Sequence, residues 1–302
     1  MKDELIHLDA TTFQKPLADL SYTIALKVQR EGPKILPIPN YASADIYVML
    51  RQADHTYDLF CFLNADDRHP NWRPAYSVVV LPLIRCMIDC LYNITVILEN
   101  PGVKGPQFRQ SGFKLALEAL KSDEERYGGD VKWDDYIAES RKNIDLFMRA
   151  SGLTMLEVQN AQTWPTLSGY LRPKKNIPLT PHQQFLKNLT FGFWQEYSGM
   201  AHATFQGLLP TAIAYMSGDV PHENQAQTDA TVNKMIYLSV SRVAAILLSM
   251  LTEVQAYFRF DGSRINQRLH EVWNALIPVL EIKELYDKRY AQLMKDKNIC
   301  PD

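Results

Sequence analysis

Apolar residues along this 302-residue chain recur at three- and four-residue spacing, and no run alternates apolar and polar long enough to specify a strand. The pattern predicts an all-α protein. A first amphipathic helix is expected over about 16 to 30 and a second over about 43 to 66, with Pro33, Pro37 and Pro39 of "EGPKILPIPN" separating them. A third, the most apolar, runs from about Ala75 to Glu99 and stops at "ENPG".

Charge is denser from 107 to 160, where Gly128-Gly129 interrupts the periodicity and predicts a helical hairpin with one face in water. The proline-rich, basic stretch 161–179 follows as a long loop. "TPHQQ" then reads as a capping box: Thr180 as N-cap, Pro181 at the first helical position and Gln183 at N3. That helix is expected to continue to His202 and to bend near Gly199 or Gly207. A long helix follows over about 223 to 260, then a terminal one kinked at Pro278.

The organisation implied is a helical bundle with additions. Residues 1–70 supply N-terminal helices, 71–106 and 180–262 the bundle core, 107–179 a helical insertion and loop, and 263–302 a C-terminal helix. Two segments are long and apolar enough to suggest membrane spans, but Arg85 and Asp89 interrupt one and Arg242 and Glu253 the other. Each such charge is disfavoured by about 2.5–3.5 kcal/mol at a bilayer centre. Both are expected to be core helices, with no membrane partner.

Composition narrows the chemistry. A net charge of −2 gives no global field that would draw the molecule onto nucleic acid, so any anion site must be local. "MKDELIHLDATTF" lacks an apolar signal segment, and four cysteines are too few for a disulfide scaffold; both favour a reduced, cytoplasmic protein. Cys86 and Cys90 share a helix without a second ligand pair, so buried thiols are expected and no metal or other cofactor. Phosphate-loop, dinucleotide, His-Glu-x-x-His and calcium-loop motifs are absent from the sequence. The basic cluster Arg172, Lys174 and Lys175 fits phosphate contact or plain solvation equally well.

The informative residues are polar ones inside apolar helices. At about 100° per residue, Arg85, Asp89, Tyr92 and Asn93 share one sector of the third helix. Ser239, Arg242, Ser249 and Glu253 do the same on the long helix, and Gln195, Ser198, His202 and Gln206 on the helix of "YSGMAHATFQ". Charges are rarely buried unless paired, so the three ridges face either water or one another. Facing one another, they would gather Arg85, Arg242, Asp89, Glu253 and His202 in one interior polar cleft. Tyr197 falls about 140° from His202, whereas Ser198 lies one turn before it and within its reach. This Ser-His pair has no Gly-x-Ser-x-Gly elbow and no evident third member, which argues against a hydrolase triad.

At "LIRCMIDCLYNITVILENP" and "WQEYSGMAHATFQGLLP" the chain resembles uncharacterised bacterial helical proteins related to the HEPN superfamily, over about 75 to 100 and 190 to 260. The resemblance implies a HEPN-like bundle core, a homodimer, and a metal-independent ribonuclease of a toxin or antiphage type in which His202 matches the motif's histidine. Active members place an Arg four to six residues before that histidine, but no Arg occurs here between 173 and 201. Arg85 or Arg242 would have to supply the cation from another helix.

Two readings follow. In the first, the protein acts on or binds RNA or a nucleotide. His202 is the acid/base, Arg85 the phosphate partner, Asp89 its orienter and Ser198 a hydrogen-bonding neighbour, while Tyr197, Arg242, Asn93 and Glu253 contribute to binding. In the second, the protein is a non-catalytic helical scaffold whose polar ridges fix helix register. The first requires Arg85 and His202 to converge.

Overall fold

The computed structural model describes residues 10–36, 41–63, 80–172, 178–179, 181–189, 195–202, 207–209, 212, 222–261 and 263–295. Among them there are helices, turns and no strand, so the fold is all-α. Four helices make the bundle: α1 (Ala10–Ile35), α2 (Tyr41–Leu63), α3 (Pro82–Glu99) and α10 (His222–Phe258), with α11 (Ser263–Leu276) laid against α1 and α10. Their three- and four-residue apolar spacing turns Leu17, Ile24, Ile46, Leu50, Ile84 and Leu251 inward, each without solvent exposure. Trp273 of α11 plugs one side and donates its indole N–H to Thr252 Oγ1 at 3.0 Å. Within α10, Leu238–Phe258 is long and apolar enough to cross a membrane, yet 89% of that window is buried inside the fold.

Several boundaries differ from the sequence expectation. α1 starts at Ala10 and holds both Pro16 and Pro33, so Pro33 does not separate the first two helices; Pro37 and Pro39 lie outside the described residues. α3 starts at Pro82, and its break from α4 (Pro101–Tyr127) is the single residue Asn100. Pro101 takes the first position of α4, where its missing N–H has no partner to lose. The hairpin therefore begins at 101, not 107. It turns where expected: Gly128 closes α4, Gly129 takes φ +89°, and Asp130 caps α5 (Val131–Ala150) by accepting from the Lys132 N–H at 3.1 Å.

The hairpin is fastened only at its base. Gly105 lets α4 approach α2 so closely that an added Cβ would lie 2.9 Å from the Ala42 Cβ. One turn on, Arg109 donates to both carboxylate oxygens of Asp45 at 3.1 and 2.8 Å and to Ser151 Oγ at 2.8 Å. Met148 is the one buried residue of α5.

The stretch 161–172 is a strap, not a free loop. Trp164 donates its backbone N–H to Ser111 Oγ at 2.7 Å and its indole N–H to Asn93 Oδ1 at 2.9 Å, while Tyr92 donates to the Pro165 carbonyl at 2.8 Å. The short helices α6 (Met155–Gln159) and α7 (Leu167–Tyr170) flank this strap. α8 (Pro181–Leu189) and α9 (Gln195–Ala201) are separate elements instead of one helix running to His202. Thr180, Lys174 and Lys175 lie outside the described residues.

Candidate functional site

The polar ridges do not share one interior cleft. They divide among three clusters, each built around an arginine. The first lies where α9 packs on the N-terminal half of α3. Arg85 Nη1 and His202 Nε2 are 3.0 Å apart, across 117 positions of sequence. A guanidinium only donates, so Nε2 accepts and the imidazole proton sits on Nδ1. Asp89, one turn after Arg85, forms a 3.6 Å ion pair with its Nε. The Arg85 side chain is 25% exposed and that of Asp89 42%, with His202 exposed beside them. This is a rim site on the surface.

The local chain explains how His202 arrives there. It directly follows α9, and its backbone N–H bonds the Ser198 carbonyl at 3.0 Å. The Ser198 side chain is buried, so the link between these two residues is through the main chain. Beyond His202 the chain does not continue as a straight helix: eight residues of helix would span about 12 Å, yet a Cβ added to Gly207 would lie 2.1 Å from the Gly199 carbonyl carbon. Only glycine permits that backbone contact. Gln206 and the Gln195 side chain are outside the described residues.

The second cluster sits behind α9. Tyr197 is 1% exposed, and its hydroxyl accepts from Arg242 Nη1 at 3.0 Å. The other edge of Arg242 donates from Nε and Nη2 to the two carboxylate oxygens of Glu281 at 2.8 and 3.0 Å, Glu281 lying in α12 (Leu280–Leu285). Arg242 and Tyr197 therefore belong to an anchor that ties α9 to α10 and α12. The third cluster is deeper. Arg289 donates from Nε and Nη2 to both carboxylate oxygens of Glu253, the second bond 2.7 Å long. Arg289 belongs to a π-helical turn, Tyr286–Tyr290. Its neighbour Tyr290 is fully enclosed, and burial, followed by the Glu253 charge, raises the phenol pKa well above its ordinary value. Glu253 is thus not part of the Arg85 site.

The α3 ridge is itself split. Its N-terminal half, Arg85 and Asp89, meets α9, while its C-terminal half, Tyr92 and Asn93, holds the strap. Of the sequence-nominated residues, then, Arg85, Asp89 and His202 come together at the rim, with Ser198 buried beneath. Glu281 and Arg289 were missed; their segment "EIKELYDKRY" alternates charge like any wet helix.

Cys86 is exposed, contrary to expectation, whereas burial, followed by the nearby Asp89 charge, pushes the Cys90 thiol up to about 12. A thiol so reluctant to ionise is a poor metal ligand, and the two do not form a site. Among the described residues, Asp54, His55 and Asp58 of α2 bring donor atoms within 4.8 Å of one another. Arg51 already lies on that face, paired with Asp54 and 3.3 Å from His55 Nε2, so a cationic group stands where an ion would sit.

No family model matches the chain, and neither a curated protein nor a solved structure matches it.

Proposed function

We propose that the Arg85–His202 pair binds a phosphate of RNA or of a nucleotide, and that His202 then serves as acid/base in metal-independent cleavage of the RNA strand. The observation that carries this is the 3.0 Å approach of a guanidinium to an imidazole on an exposed edge. Guanidinium recognises phosphate through parallel N–H donors, and Asp89 holds its Nε edge in place. An arriving phosphate competes with Nε2 for those donors. Once Arg85 turns to the phosphate, Nε2 accepts the proton of a ribose 2′-hydroxyl. The 2′-oxygen attacks phosphorus, the bond to the 5′-oxygen breaks, and the leaving oxygen takes up a proton. The HEPN resemblance supports the same assignment of His202, with Arg85 supplying from α3 the cation that its own helix lacks.

The test is RNA binding and cleavage by wild type, His202→Ala and Arg85→Lys. Wild type should bind single-stranded RNA, weakening as salt rises, and release ends bearing 2′,3′-cyclic phosphate; His202→Ala should bind without cutting, and Arg85→Lys should lose binding. Equal affinity in all three proteins would refute the reading. The scaffold reading draws on a different observation: Arg242 and Arg289 are each closed by a two-pronged carboxylate and fix helix positions. It gains if RNA neither binds nor is cut.

A further inference from the structure

The hairpin helix α5 leaves an unusual face in solvent. Trp133, Tyr136, Ser140, Asn143, Phe147 and Ala150 recur at alternating spacings of three and four, which places them on one stripe. Tyr136 is 51% and Phe147 61% exposed. Trp133 is half-exposed, stacked on Tyr127 at 4.5 Å and edge-on to Tyr136 at 5.9 Å, so the rings at the hairpin tip form one preorganised cluster. Such an apolar stripe on a helix that buries only Met148 is unusual for a merely solvated hairpin.

Two features of α5 are related by reversal. Its stripe carries rings toward both ends and small polar residues, Ser140 and Asn143, in the middle. Its charge changes sign at the same midpoint: Lys132, Asp134, Asp135 and Glu139 give the first ten residues a net −2, and Arg141, Lys142, Asp145 and Arg149 give the last ten a net +2. The helix macrodipole does not account for this, because its influence is confined to the terminal turns, whereas Arg141 and Lys142 are mid-helix.

We propose that α5 is a homodimer interface on which a second copy of the chain lays its own α5 antiparallel. In that arrangement Tyr136 meets the second copy's Phe147 and the reverse, the Ser140 and Asn143 pair lies on the two-fold axis, and each acidic half faces a basic half. The interface is isologous and closes at two copies. A parallel copy would set like charge against like. α5 is about 30 Å long, and one such helix pair stands at the small end of stable interfaces, which bury about 1,200–2,000 Å². The dimer is therefore reversible and weakened by salt.

Sedimentation of the full chain over a range of concentration and salt tests this. Wild type should associate to dimers, more weakly at high salt. Tyr136→Ser with Phe147→Ser should weaken the dimer by on the order of tenfold or more, with an unchanged thermal transition because both rings are exposed. The charge swap fixes the geometry. Asp134→Lys with Asp135→Lys makes both halves positive, Lys142→Glu with Arg149→Glu makes both negative, and each variant alone should be monomeric. Mixed, the two should dimerise again. A monomeric wild type, a dimer indifferent to the ring substitutions, or failure of the mixed variants to pair would each overturn the proposal.

Discussion

The Arg289–Glu253 and Arg85–His202 pairs both put an arginine among apolar helices, but they answer the cost of its charge differently. Glu253 is 6% exposed and receives two parallel bonds from Arg289, so the ion is neutralised inside the fold. Arg85 stands at a rim, against a neutral imidazole and a carboxylate 3.6 Å from its Nε. A charge inside an apolar periodicity is therefore not by itself a sign of chemistry. What separates the two is the partner: a two-pronged carboxylate leaves little for a ligand to gain, whereas an imidazole is a weaker competitor that a phosphate can displace.

The largest effect should come from breaking the interior pair. Glu253→Ala strands a buried guanidinium and should cost about 3–5 kcal/mol in urea unfolding. Replacing both partners, Glu253→Leu with Arg289→Met, should recover most of that loss, since an apolar pair of similar volume removes the desolvation problem. Tyr197→Phe comes next. It deletes one bond to a charged donor, worth about 1.5–3 kcal/mol by the same measurement.

At the rim the comparison sharpens. His202→Ala should change stability by less than about 0.5 kcal/mol, as an exposed side chain does, while abolishing RNA cleavage. A large stability loss would place His202 with the interior pairs. The smallest effect concerns the thiols on α3. At pH 8 a thiol reagent should modify Cys86 rapidly and Cys90 only on unfolding. Because the folded Cys90 pKa is raised from 9.0 to about 12, its contribution to stability is complete below pH 9 and is lost as pH rises toward 12. Cys90→Ala should flatten that part of the alkaline stability profile.

The helical class, the Gly128-Gly129 turn and the convergence-ready Arg85 were legible because each rests on a local rule: periodicity, glycine's φ range, or a charge surrounded by apolar neighbours. Helix ends were less legible. Pro33 reads as a breaker, yet it lies inside α1, and Pro101 both stops one helix and starts the next. Which arginine pairs with which carboxylate could not be read at all. Glu281 and Arg289 sit in a segment with a charge at nearly every turn, and only packing against α10 distinguishes those that turn inward. The single cleft expected for Arg85, Arg242 and Glu253 failed for this reason, since each had a nearer carboxylate or arginine than the sequence could nominate.

The π-turn at Tyr286–Tyr290 carries one residue more per turn than the α-helix around it. Deleting a single amino acid there would restore ordinary winding and rotate everything after it by about 100°. Natural variation in the length of this segment should therefore be rare, while neighbouring surface positions such as Lys283 and Asp287 are free to drift. A one-codon deletion would be felt as a fault in the core, even though it falls in what looks like a polar tail.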